Sequence, residues 1–139
     1  MKKLSICLMF TLCALTSVHT RADIHIIVHT SNQVDMSQAY IKRIFLGKVA
    51  HFPGGKPAIP VNIQAGTDLR KTFERIILNK SDAQVRSYWA KRIFTGKGIP
   101  PKEVNLLDLL TLIASDPRFI GYTNEAADLG PEVRVSGQY

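Results

Sequence analysis

The stretch Val61-Asn62-Ile63-Gln64-Ala65-Gly66-Thr67-Asp68-Leu69-Arg70 decides the fold, because its pattern changes from extended to helical within a few residues. Val61-Asn62-Ile63 reads as a strand, Gly66 permits a tight turn, and Thr67 or Asp68 can cap a helix. That helix carries Leu69, Phe73, Ile76 and Ile77 at offsets 0, 4, 7 and 8, one apolar face. A strand feeding directly into a helix is the unit of an α/β layer.

The flanking sequence repeats the alternation. Upstream, Ile24-His25-Ile26-Ile27-Val28 is β-branched and nearly continuous, which predicts a strand covered on both faces. Ser37 then caps a short helix with an apolar stripe of Ala39, Tyr40, Ile41, Ile44 and Phe45 that ends at Gly47. Residues 50–60 are loop-like around Pro53-Gly54-Gly55, and Pro60 suits the entry or edge of the second strand. Downstream, Ser81 caps a helix bearing Val85, Tyr88, Trp89, Ile93 and Phe94 that stops near Gly96. Gly98-Ile99-Pro100-Pro101 reads as a stiff connector, and Asn105 caps a leucine-rich helix stopped by Asp116-Pro117. Phe119–Tyr122 and Val133–Val135 read as late strands around a short helical turn near Glu125–Leu129. The order is β-α-β-α-α-α-β-β, a small mixed sheet flanked by helices.

Composition agrees with one small folded domain: 139 residues, 45% hydrophobic, with 18 basic and 11 acidic side chains. Disorder, collagen, coiled coil and a multidomain enzyme are excluded. Lys2 and Lys3 precede an uncharged run from Leu4 to Val18, and Thr20-Arg21-Ala22 follows with small residues at a cleavage position, so residues 1–22 read as a secretory signal peptide. The run is shorter than the roughly 20 apolar residues of a spanning helix, so export is expected and no stable membrane anchor, a retained anchor being the alternative. Residues 23–139 then form the domain, 117 residues with 15 basic and 11 acidic side chains, a net +4. Cys7 and Cys13 both lie in the leader, which leaves the domain without a disulfide or a thiolate.

The residues offer little for catalysis. His25 and His29 on one strand would stand about 13 Å apart, too far to share an ion, so no metal site is expected. No serine lies in a Gly-x-Ser-x-Gly elbow, the carboxylates are scattered, several at helix caps, and no nucleotide-binding loop occurs. A non-enzymatic protein without cofactor is expected. Nucleic acid is not expected either, since Tyr88 and Trp89 share helical spacing with Val85 and Ile93 and read as core.

One internal pair stands out, Lys42-Arg43-Ile44-Phe45-Leu46-Gly47-Lys48 and Lys91-Arg92-Ile93-Phe94-Thr95-Gly96-Lys97. Each copy closes an expected helix, where cations complement the dipole and glycine allows a left-handed turn; a shared anion-facing role is the alternative.

The Gln64–Arg70 turn aims backbone N–H groups and a positive dipole end at one spot, beside the Thr67 hydroxyl and Arg70, which suits a small oxyanion; the alternative is a simple capped helix. At this point the residues resemble a family. Met36-Ser37-Gln38, Ile44-Phe45-Leu46-Gly47-Lys48, Pro60-Val61-Asn62, Gly66-Thr67 with Phe73, Tyr88-Trp89, Phe94-Thr95-Gly96-Lys97-Gly98 and Ile120-Gly121-Tyr122 look like the periplasmic phosphate-binding components of ABC transporters. The similarity is to short single-lobe members of that type 2 periplasmic-binding-protein superfamily and runs over about residues 24–123. It implies a single-lobe fold, periplasmic localisation, and phosphate or a similar oxyanion at Gly66, Thr67 and Arg70, with Ser31 and Asn32 as neighbours. Full-length relatives close two lobes on phosphate with a Ser-Gly-Thr helix start; here Ala65-Gly66-Thr67 stands in its place and the chain can supply one lobe. The other expectation is therefore an envelope interaction module, an accessory to a transporter or sensor that has lost ligand binding, with a homodimer as one way to cover the exposed cleft face.

Overall fold

A computed structural model describes residues 23–139, and the expected signal peptide lies outside them. The elements are β1 (His25–His29), α1 (Gln38–Phe45), β2 (Ile59–Ile63), α2 (Asp68–Phe73), α3 (Asp82–Phe94), β3 (Lys102–Val104), α4 (Leu106–Ser115), β4 (Phe119–Thr123) and β5 (Val133–Gln138). They build one sheet in the order β3-β2-β4-β1-β5. Strand β2 runs parallel to β3 and β4, while β1 runs antiparallel to β4 and β5, so the sheet is mixed as expected. Ile26, Ile27 and Val28 point alternately to the two faces and are all fully buried, which explains the uninterrupted β-branched run.

Each expected cap forms. Ser37, Thr67, Ser81 and Asn105 are extended residues whose side chains accept a backbone N–H of the first turn, and Ser81 with Gln84 makes a reciprocal capping box. Without these oxygens the first-turn amides would lack partners. At the other end, α1 and α3 close in the same way. Gly47 and Gly96 share φ +66. Lys48 N–H donates to Arg43 O and Gly47 N–H to Ile44 O, and the second copy repeats both bonds with Lys97 to Arg92 and Gly96 to Ile93. The internal repeat is thus a duplicated Schellman cap.

The core runs across the sheet, and an aromatic trio from α1, α2 and β4 lies within it. Phe73 stacks on Tyr122 with ring centroids 3.7 Å apart, and Phe45 meets both edge-on at 4.7 and 5.7 Å. Helix α4 sits directly on Gly121, where a Cβ would come within 2.5 Å of Leu109 Cδ1. The glycine of Ile120-Gly121-Tyr122 is there for close helix–sheet packing.

Three expectations are corrected. The segment after Pro100-Pro101 is not only a connector, because Lys102–Val104 pairs with Val61–Ile63 as the edge strand β3. The α2 helix widens into a π-helical turn over Glu74–Leu78 and ends at left-handed Asn79 (φ 51). Residues 125–129 form no helical turn. The Thr123 hydroxyl accepts Glu125 N–H and Asp128 takes φ 59, so the chain crosses to β5 irregularly. No helix among the described residues is long and apolar enough to cross a membrane.

Candidate functional site

The β2–α2 turn lies at the carboxyl end of the parallel strands, the end at which open α/β sheets hold ligands. Its geometry begins with Thr67. The hydroxyl donates to Gln64 O at 3.0 Å and accepts Arg70 N–H at 3.3 Å, locking the turn onto α2. Gly66 has φ +83 and is exposed, with open space where a side chain would be. The Gly66 and Thr67 amides have no acceptor among the described residues.

Arg70 is different. It is buried, and its guanidinium is already engaged three ways. Nε donates to Glu74 Oε1 at 2.6 Å, and Nη1 donates to Ile63 O at 2.9 Å and to Glu103 Oε1 at 3.3 Å. Burial opposes its charge, but the neighbouring Tyr122, Glu74 and Glu103 outweigh that and hold it protonated. The same Glu103 carboxylate takes Ala65 N–H through Oε2 at 3.3 Å. An internal anion therefore bridges the turn and the arginine. Glu74 is also buried, its second oxygen lacking a partner, and Asp68 adds an exposed carboxylate to the first turn of α2.

Tyr122 completes the arrangement from beneath. Its hydroxyl accepts Ile63 N–H at 3.1 Å and donates to Asn62 Oδ1 at 3.4 Å. The Ile63 backbone is thus held at its N–H by Tyr122 and at its carbonyl by Arg70. Burial pushes the Tyr122 phenol well above the ordinary tyrosine range, with Arg70 opposing.

Thr67 and Arg70 are joined at the turn through the Arg70 N–H, while the Arg70 guanidinium turns to Ile63 O, Glu74 and Glu103, and Ser31 and Asn32 lie elsewhere. Because β1 is antiparallel to β4, and β4 parallel to β2, the end of β1 lies beside the beginnings of β4 and β2. Val28 and Pro60 both align with Ile120, so Gly66 stands six residues further along, on the order of 20 Å away at about 3.3 Å per residue. Ser31 instead bonds His29 Nδ1 at 2.7 Å, and the Asn32 carbonyl accepts Arg134 Nε–H at 2.6 Å. Glu103, Glu74 and Tyr122 are the residues that sequence reasoning missed. Among the described residues no three His, Cys, Asp or Glu side chains gather as metal ligands.

The fold matches solved structures. A Clostridium perfringens protein assigned as a phosphate ABC transporter substrate-binding protein, solved with bound phosphate, aligns over 82% of this chain with TM-score 0.62 and 20% identity. An ABC-type phosphate transport receptor from Vibrio cholerae aligns over 82% with TM-score 0.60 and 16% identity. The chain has the fold of one lobe of such a phosphate-binding protein. It spans 44% and 46% of those two chains, less than half of either. No family model matches the sequence, and neither does any curated protein. Within this fold the β2–α2 turn is bridged by a carboxylate of the chain's own.

Proposed function

We propose that the protein is an exported, non-enzymatic module of the solute-binding fold that works by contact with another envelope component, a transporter or a sensor, and not by capturing phosphate. One observation carries this reading: the Glu103 carboxylate already spans Ala65 N–H and Arg70. An incoming oxyanion would meet Asp68, Glu74 and Glu103 against one guanidinium already engaged at Nε and Nη1. A charge-assisted hydrogen bond to a free turn amide contributes roughly 1.5–3 kcal/mol. A like charge about 4 Å away opposes it by about 4 kcal/mol at a surface-like dielectric, less where solvent screens it. The two cancel to first order. Export rests on Lys2, Lys3 and the uncharged Leu4–Val18 run.

Calorimetry against phosphate and sulfate at low salt tests the reading. The unmodified protein should give no heat at millimolar ligand, and Glu103→Ala should recover weak phosphate binding by vacating the turn. Micromolar phosphate binding by the unmodified protein overturns the reading, as does cross-linking in the intact envelope that recovers no partner. A second reading, weak oxyanion binding, is favoured by the free Gly66 and Thr67 amides. Its mark would be phosphate binding that Thr67→Ala abolishes.

A further inference from the structure

The duplicated helix end is the most uneven feature of the surface. The first copy places Ile44 and Phe45 in the core, while the second leaves Ile93 54% exposed and Phe94 92% exposed. Local geometry gives no reason for the second phenylalanine, since the Schellman cap needs only the glycine. Three residues past Gly96, Ile99 is 81% exposed. The bend between them is firm: Arg92 donates to Lys97 O at 2.6 Å and to Gly47 O at 3.2 Å, and its guanidinium lies 5.7 Å from both the Tyr88 and Trp89 rings.

Charge around this tip has one sign. Lys91, Lys97 and Lys102 are exposed and take no part in the ion pairs among the described residues. No acidic residue occurs from 83 to 102, or from 36 to 67. The two acid-free segments pack on each other, with Tyr88 donating to Leu46 O at 2.6 Å and Trp89 against Gly47, which adds Arg43 and Lys48 to the same basic region.

We propose that the tip of α3 is a reversible peripheral anchor for an anionic phospholipid surface. Ile93, Phe94 and Ile99 enter the boundary between headgroups and acyl chains, while Lys91, Lys97 and Lys102 face the lipid phosphates. Exposed aromatic and aliphatic tips framed by lysines are what such a boundary rewards, through buried apolar area and attraction to negative headgroups. Charge argues against a second copy as the occupant, because a symmetric contact here would set lysine against lysine. Shape argues against a peptide seated in the adjoining apolar groove of about 380 Å³, which is lined by Trp89, Ile99 and Pro101 and leaves Phe94 outside it.

The test is co-sedimentation of the protein, purified as its cells produce it, with vesicles of equimolar phosphatidylglycerol and phosphatidylethanolamine, against phosphatidylcholine vesicles. Binding is expected to the anionic vesicles alone, to weaken with salt, and to fall about tenfold in Phe94→Ser, the scale set by one buried phenylalanine. The pair Lys91→Glu with Lys97→Glu should abolish it, and Lys71→Glu on α2 should leave it unchanged. Should the serine variant misfold, Thr95→Cys carrying a polarity-sensitive dye gives a second readout, a blue shift on vesicle addition. No binding to anionic vesicles, binding indifferent to Phe94, or no shift of the dye overturns the proposal. The state of the β2–α2 turn is read separately by calorimetry, so the two readings fail independently.

Discussion

Phe45 and Phe94 occupy the same place in two nearly identical helix ends, yet Phe45 is 1% exposed and Phe94 92% exposed. Backbone geometry is shared down to the glycine φ, so the difference lies in what packs against each helix. Helix α1 is covered by Phe73 and Tyr122, whereas the end of α3 projects beyond the groove formed by Trp89 and Ile99.

Stability should divide these two residues sharply. Phe45→Ala removes a ring from the aromatic trio and should cost about 3–5 kcal/mol. Phe94→Ser should stay within about 0.5 kcal/mol of the parent in urea denaturation. Equal losses would mean that Phe94 is packed after all.

The Arg70–Glu74 pair gives a second contrast, both side chains being nearly inaccessible. Arg70→Met leaves Glu74 buried and unpaired and should cost about 3–5 kcal/mol, while Arg70→Met combined with Glu74→Leu should recover most of that. A thermodynamic cycle on the two single variants and the double variant measures it. Additive losses would place the two charges in solvent.

Gly121→Ala should destabilise by about 1–3 kcal/mol, because the new methyl overlaps Leu109, itself fully buried on α4. Combining it with Leu109→Ala should be less than additive in denaturant midpoints.

Two groups carry pH dependence of opposite sense. The Asp116 carboxyl is held below its ordinary range first by the Arg118 side chain and then by the Arg118 N–H. Its folded value is lowered, so its contribution is present above the unfolded value and lost as pH falls through the folded one. In an NMR titration the Asp116 carboxyl should move up toward the ordinary range in Arg118→Ala while staying below it, because the residue 118 N–H still donates to Asp116 Oδ1. Burial raises Tyr122, so its contribution is intact below the unfolded tyrosine value and is lost as pH rises toward the folded one. Ultraviolet titration should find one phenol that ionises only as the chain unfolds in alkali, and Tyr122→Phe should remove it. That variant leaves Ile63 N–H without its partner, at a cost of about 1–3 kcal/mol.

Much of this architecture was legible because its signals are local. Ser37, Thr67, Ser81 and Asn105 announce their helices, and the β-branched run at Ile24–Val28 announces a covered strand. Strand β3 was hidden because Lys102-Glu103-Val104 is short, follows two prolines and acquires its partner only when β2 lies beside it. The π-helical turn leaves no mark in an apolar spacing that an α-helix would share. At the candidate site, the Thr67 cap is local and was readable, while Glu103 acts on Ala65 and Arg70 from 38 and 33 residues away. Ser31 and Asn32 looked close to the turn only for want of strand direction, which one antiparallel pairing supplies.

Arg92 clasps the carbonyls of both Gly47 and Lys97, and Tyr88 holds Leu46. The exposed end of α3 is therefore no loose whisker. A load applied there is passed through the Gly47 and Leu46 bonds to the end of α1, and from Phe45 into the rings beneath the sheet. Whatever grips the tip also gains mechanical leverage over the centre of the molecule.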